Sequence, residues 1–433
     1  MVAENEAVVN NSSATIYSRA EHPVSRSQIS HNALKVLYRL NESGYEAYLV
    51  GGCVRDLLLG REPKDFDVAT SATPEQVKAV FRNCRLIGRR FRLAHVFFGR
   101  EIIEVATFRG SVDVSQGEQK TDGNGRVLRD NSYGSIEEDA WRRDFTVNAL
   151  YYTVTDFSVV DYTNGMEDHR AGVLRLIGDA EQRYREDPVR MIRAVRFAVK
   201  LGFSLHINCE QPIHDMAHLL GDIPAARLYD EFLKLFLSGY GLQTFEMLRH
   251  YGLFAQLFPA TDVFLSLEEE HFPKLFIIKA LENSDKRIAE GKSITPYFLL
   301  AAFLWESVQT VAQQKLEQGL EESIAYQEAG SQVISKQIRS IAFPKRVGLA
   351  MREVWQLQGR FKRRKGSKPS KLLGHPRFRA AYDFLVLRAE TGGADKDLVE
   401  WWTKFQFASE SEQRRMTQPR RHLKKNKNPE ESS

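Results

Sequence analysis

Cysteine is scarce in this chain: Cys53, Cys84 and Cys209 are the only three in 433 residues, and none forms a Cys-x-x-Cys pair. That excludes a disulfide framework or a zinc knuckle and fits a reducing cytosol, so a cytoplasmic location is expected. Long hydrophobic runs are missing too. The longest, around residues 297–305, is far too short to span a bilayer. The N-terminus has no apolar stretch for a signal peptide, and Glu4 and Glu6 argue against a transit peptide. There is no Gly-x-x-x-x-Gly-Lys-Ser/Thr and no Gly-x-Gly-x-x-Gly, which argues against an ATPase or a dinucleotide enzyme. Neither a nucleophilic triad nor an internal repeat is evident. What remains is an ordinary globular composition, 42% apolar and 27% charged, in a chain long enough for two to four domains. The net charge of +5 is modest, and its distribution says more than its total.

The chain is organised around residues 49–69, Leu-Val-Gly-Gly-Cys-Val-Arg-Asp-Leu-Leu-Leu-Gly-Arg-Glu-Pro-Lys-Asp-Phe-Asp-Val-Ala. This pattern predicts a strand, a glycine turn, a brief helix and a second strand beginning at Asp65. Alternation along that strand puts Asp65 and Asp67 on one face, with Phe66 and Val68 on the other. Paired carboxylates suit Mg²⁺, which takes one or two of them together with substrate phosphates. Gly51 and Gly52 let backbone N–H groups approach a phosphate, and Arg55 adds fixed positive charge. Two Mg²⁺ ions roughly 3.5–4 Å apart would serve phosphoryl transfer to a hydroxyl, with the arginines stabilising charge. In a later strand, 102–108, Glu104 lies opposite Ile103 and Val105 and is a candidate third carboxylate.

Residues 1–28 are polar and read as a disordered lead. Thr73-Pro74-Glu75-Gln76 starts a helix with a capping box. Residues 110–134 are rich in Gly, Asp and Ser and read as a mobile loop. The helix expected from Ser135 runs on through residue 150, placing Asp144 and Asn148 four apart on one face. From about 166 the chain turns helical. Asp187, Arg190, Arg193 and Arg196 fall on one stripe at three-residue steps, offering hydrogen-bond partners for a base edge and charge for a triphosphate. Further on, Arg360, Lys362, Arg363, Arg364, Lys365 and Lys368 open a run without acids that continues to Tyr382, interleaved with Phe361 and Phe378. Charge with stackable rings is what single-stranded nucleic acid needs. A second basic stretch closes the chain, from Arg414 to Lys427.

These residues resemble the class II template-independent nucleotidyltransferases, the group containing bacterial poly(A) polymerases and tRNA CCA-adding enzymes. The resemblance rests on residues 49–56, Lys64-Asp65-Phe66-Asp67, Arg142-Arg143-Asp144-Phe145-Thr146-Val147-Asn148-Ala149-Leu150 and Glu186-Asp187-Pro188-Val189-Arg190. Residues 86–96, Leu-Ile-Gly-Arg-Arg-Phe-Arg-Leu-Ala-His-Val, look like the poly(A) polymerase branch, and the similarity extends from about Ile29 to Phe407. Cys53 stands where the family commonly has Gly or Ala. The resemblance implies an α+β fold: a mixed-sheet nucleotidyltransferase head followed by an all-α neck, body and tail, seahorse-like. The expected divisions are a lead at 1–28, a head at 29–165, a neck at 166–260, a body at 261–408 and a disordered basic tail at 409–433.

It also implies roles. Asp65 and Asp67 would be metal-binding catalytic carboxylates, with Asp144 a third acid of the active site. Gly51, Gly52, Arg55 and Arg143 would meet the triphosphate or ribose; Asp187 and Arg190 would face the base, with Arg193 close by among the nucleotide-binding residues. ATP would be the substrate with two Mg²⁺ ions. RNA 3′ ends of messenger, structured and regulatory RNAs would be the partners of a monomeric enzyme, with RNA-decay proteins beyond them. A CCA-adding enzyme and a non-catalytic RNA-binding protein remain the competing readings.

Overall fold

The computed structural model describes residues 13–88, 92–110, 120–121, 127–129, 132–266 and 273–418. They form two compact units, Met1–Leu219 and Leu220–Ser433, so the boundary falls inside the stretch 166–260 expected as one neck.

The first unit is built on a mixed eight-stranded sheet. Its strands are β1 (Thr15–Tyr17), β2 (Ala47–Val50), β3 (Asp67–Thr70), β4 (Cys84–Ile87), β5 (Leu93–Phe98), β6 (Glu101–Thr107), β9 (Leu150–Tyr152) and β10 (Val159–Asp161). A separate short ladder joins β7 (Lys120–Thr121) to β8 (Val127–Arg129). The sheet order is β1-β10-β9-β2-β3-β6-β5-β4, with β3 and β6 parallel and every other pair antiparallel. Alternation sends the strand residues into two cores. Leu49, Val68, Leu150 and Tyr152 pack with α1 (His31–Glu42), α2 (Gly52–Leu58) and α3 (Pro74–Val80). Val50, Ala69 and Tyr151 point the other way, toward Ala140 of α4 (Ile136–Arg142). The capping box expected at Thr73 is formed, with Pro74 in the first turn.

Several expectations are corrected. Within the supposed disordered lead, Thr15–Tyr17 pairs with β10, Val24 is fully buried, and Ser18 and Ser25 cap short 3₁₀ turns. An edge strand is held by backbone hydrogen bonds, so polar side chains there do not signal disorder; residues 1–12 lie outside the described residues. Most of the loop at 110–134 also lies outside them. The expected helix 135–150 ends at Arg142; Thr146–Asn148 is a 3₁₀ turn and Leu150 already begins β9. The run Phe145-Thr146-Val147 explains this, because side chains branched or ringed at the backbone favour strand and turn once sheet pairing is on offer. β3 begins at Asp67, and Asp65 sits in the bend before it.

Beyond α5 (Gly165–Ala171), α6 (Ala180–Glu186) stops at Asp187, whose φ of −149° is extended, and α7 (Val189–Leu201) starts after Pro188. The stripe from Asp187 to Arg196 is therefore broken at its first member. The residue before a proline is driven out of the helical region, which accounts for the break.

Among the described residues, every regular element of the second unit is a helix, from Ala225–Phe236 to Glu410–Thr417. Phe232, Phe236, Phe245, Phe254 and Phe258 gather around Phe303 mostly edge to face, with centroids 5.0–6.3 Å from it. A second core joins Phe361, Phe378 and Tyr382 to Trp402 and Phe405. These are the rings expected to stack on bases. At 0%, 6% and 6% exposure, Phe361, Phe378 and Tyr382 are core instead. Of the tail at 409–433, Glu410–Thr417 is a capped helix, and 419–433 lie outside the described residues.

Candidate active site

The site grows from the turn between β2 and α2. Gly51 has φ +76° and ψ −130°, a conformation open to glycine alone, and a Cβ there would meet Arg143 Nη1 at 3.4 Å. The turn therefore needs Gly51 both for its backbone and for the approach of Arg143.

Asp67 opens β3 on the sheet face that carries Ala69 and Tyr151, and its side chain remains open to solvent. Parallel pairing puts it in register with Glu104 of β6, so the two carboxylates stand side by side on strands about 4.8 Å apart. Although Asp67 keeps an exposed edge, the protein packed around its carboxyl removes enough water to push it up to about 6; the charge of Glu104 adds to this, Arg143 opposes it, and Asp65 contributes a further push. Crowded carboxylates with a partly desolvated member are a donor set that a hard cation relieves. Among the described residues no three His, Cys, Asp or Glu side chains form a metal cage on their own. The carboxylates that the sheet register sets side by side are Asp67 and Glu104, while Asp65 stands two residues before Asp67 in the bend; such a donor set suits an ion that completes its shell with water and substrate oxygens. Glu104 lies 3.7 Å from His95 Nε2 and acts on Asp67 by its charge.

The arginines expected to meet the triphosphate are held tightly. Arg55, 2% exposed, donates Nη1 to Asn148 Oδ1 at 2.6 Å and Nε to Asp56 Oδ1 at 2.8 Å. Arg143 donates Nε to the Tyr151 hydroxyl at 2.9 Å and Nη2 to Asp139 Oδ2 at 3.0 Å. Burial works against the Arg143 charge, but Tyr151 and Asp139 outweigh it and raise its pKa. Asp144 accepts at Oδ1 from the Phe145 amide at 2.9 Å and from Asn148 Nδ2 at 3.3 Å. Its Oδ2 accepts from Arg193 Nε at 2.8 Å and from Arg193 Nη2. Burial alone would raise the Asp144 carboxyl; the Arg193 charge and hydrogen bond overcome this and lower it.

Asn148 is thus the hub that sequence reasoning placed only as a neighbour of Asp144. Its side chain ties Arg55 to Asp144, and its carbonyl accepts from Arg143 Nη1 at 3.5 Å. Asp139 and Tyr151, which aim Arg143, went unnoticed. The four-residue spacing from Asp139 to Arg143 was the available signal for the first.

The base-facing candidates are arranged unequally. Arg193 reaches Asp144, whereas Arg190 donates to the Arg183 carbonyl at 2.7 Å and to Glu186 at 2.9 Å. Asp187 accepts from the Val189 amide at 3.3 Å, fastening the first turn of α7. In the second unit, Lys362 pairs with Glu322 at 3.2 Å and Arg364 lies 6.0 Å from the Trp401 ring. Arg363, Lys365 and Lys368 are exposed, as is Lys362, while Arg360 lies in the last turn of the helix Lys345–Phe361.

A mixed sheet presenting carboxylates beside a glycine turn, with fixed arginines above it, defines a nucleotidyltransferase head. The model of the poly A polymerase head domain matches residues 47–175. That of a probable RNA- and SrmB-binding site of polymerase A matches 202–265, and that of the polymerase A arginine-rich C-terminus matches 318–432. Poly(A) polymerase I of Escherichia coli O6:H1 is 52% identical over 96% of this chain and 90% of its own length. The CCA-adding enzyme of Lactobacillus helveticus is 37% identical over 58% of this chain and 61% of its own. Among solved structures, the Bacillus stearothermophilus CCA-adding enzyme in complex with CTP superposes with a TM-score of 0.55 at 28% identity, covering 86% of this chain and 80% of that one. The chain belongs to the bacterial poly(A) polymerase I family.

Proposed function

We propose that this protein adds AMP units from ATP to RNA 3′ ends without a template. The RNA 3′-oxygen forms a bond to the α-phosphorus; the bond from that phosphorus to the bridging oxygen breaks, and pyrophosphate leaves with the electron pair. The hydroxyl proton passes to solvent. The observation that carries this reading is similarity at 52% identity across 96% of the chain, including the arginine-rich C-terminus, to a poly(A) polymerase I.

Asp65 and Asp67 would hold Mg²⁺, which when bound supplies charge neutralisation at the triphosphate and acidifies the attacking hydroxyl. Arg143, held in place by Asp139 and Tyr151, directs positive charge toward the glycine turn where phosphates would lie. Asn148 and Arg193 fix Asp144 so that it orients its neighbours. Asp187 and Arg190, at the junction of α6 and α7, would read the adenine edge. Basic residues from Arg360 to Lys368 would track the RNA backbone. Tailing of this kind in the cytoplasm would mark messenger, structured and regulatory RNAs for decay, with degradative nucleases and helicases as natural partners.

The test is nucleotide incorporation on an unstructured RNA and on a tRNA lacking its CCA end. ATP incorporation into both is expected. CTP incorporation confined to the tRNA would replace this reading with CCA addition.

A further inference from the structure

A cavity of about 560 Å³ lies in the second unit, walled by the helices Pro273–Ala289 and Phe378–Glu390 and by the start of Pro296–Phe303. Its residues Asn283–Phe298 fall between the matched family segments, which end at 265 and resume at 318. Lys286, Arg287, Lys292 and Arg379 line it, against two acids, Glu290 and Asp383.

The charges are distributed unevenly. Lys292 pairs with Glu290 at 2.6 Å and Arg379 with Asp383 at 3.1 Å, so both acids are answered. Lys286 and Arg287 are exposed and, among the described residues, form no ion pair within salt-bridge distance; both act on Glu290, and Arg287 on Asp383, only at longer range, so the lining keeps an excess of two cations over its acids. Tyr297 adds a flat ring, steadied by the Arg377 guanidinium 5.2 Å from its centroid. The first turn of Pro296–Phe303 has no side-chain cap, so its partial positive charge opens here as well. The volume is that of a site for a ligand of small-molecule size. Excess cation, an aromatic wall and room for one nucleotide are the requirements of single-stranded nucleic acid.

We propose that this cavity binds a nucleotide within the single-stranded RNA substrate, with Lys286 and Arg287 on its phosphates and Tyr297 against its base. The site is additional to the basic run from Arg360 to Lys368. The proposal rests on RNA being the substrate, as proposed above, and its occupant is a chain segment, not free ATP.

The test is a Lys286→Ala, Arg287→Ala double variant of the full chain, probed with a fluorescent single-stranded oligoadenylate and, separately, with ATP alone. Loss of two backbone contacts should flatten the slope of log affinity against log salt by about 1.4, and weaken RNA binding roughly tenfold near 0.1 M salt. KM for RNA should rise while kcat and the affinity for ATP hold. An unchanged RNA affinity and salt slope would overturn the proposal, and so would weakened ATP binding with RNA binding intact. If the wild-type chain adds no AMP at all, the proposed activity fails, but the RNA-binding comparison still decides the cavity. Both side chains are exposed, so an unchanged melting curve is expected and separates lost contacts from lost fold.

Discussion

Around Asn148 the charges hold one another; along Arg360–Lys368 most of them stand in water. Arg55, Arg143, Asp144 and Arg193 each have at least one buried or half-buried partner, so each fixes the geometry of the next. Lys362 has one exposed partner at 3.2 Å, and Arg363 and Lys365 project from the surface. Interactions in a desolvated network are strong and non-additive, whereas exposed charges act singly and are screened by salt. One region is built for position, the other for attraction. Substitutions should therefore fail together in the first and separately in the second.

The largest effect should come from Asp67→Asn, which removes the carboxylate proposed to hold Mg²⁺ while keeping its shape. AMP incorporation should fall roughly 10³-fold with RNA affinity retained; an unaltered elongation rate would remove Asp67 from the chemistry. Asn148→Ala should come next, because it strips partners from Arg55 and Asp144 at once. A loss of about 2–3 kcal/mol in stability is expected from urea unfolding, together with reduced kcat. Normal kcat in this variant would show that the network is structural only.

Arg193→Met sharpens the comparison through pH. Arg193 lowers the Asp144 carboxyl in the folded state below its ordinary value of 3.8. The resulting stabilisation is fully present above that value and is lost as pH falls through the lowered one. The stability gap between wild type and variant should thus be about 2 kcal/mol at neutral pH and shrink in strong acid. A gap that does not change with pH would deny the coupling. The smallest effect on stability should come from Arg363→Ala with Lys365→Ala, within about 0.5 kcal/mol of wild type. In that pair the salt slope of RNA binding should flatten by about one to two charges, and an unchanged slope would exclude these residues from the RNA path.

Much of the head was legible because its chemistry is local. Gly51-Gly52 announces a turn, the alternation around Asp67 and Val68 announces a strand (though it starts two residues later than expected, at Asp67), and Thr73-Pro74 announces a helix start. The errors share one cause. Residues 141–150 look helical by spacing, yet sheet pairing claims Leu150–Tyr152; Asp144 and Asn148 still meet, through a turn. Thr15–Tyr17 looks too polar to fold, yet the edge of β10 recruits it. Phe361, Phe378 and Tyr382 look like a stacking surface, yet they pack against Trp402. In each case a contact distant in sequence outweighed the local preference, as tertiary context does for propensities of less than about 1 kcal/mol per residue.

The sequence by itself determined the chemical inventory: the glycine turn, Asp65 and Asp67, the Arg-Arg-Asp segment, and the concentration of positive charge after Arg360. Those are properties of residue type and short spacing, which survive any arrangement of the rest. Tertiary structure decided which charges pair and which remain open to substrate. It joined Asp144 to Arg193, made Asn148 the hub, set Glu104 beside Asp67 and removed the aromatic rings from the surface. Pairing and burial depend on neighbours brought together from dozens of residues away, and those distances exist only once the chain has folded.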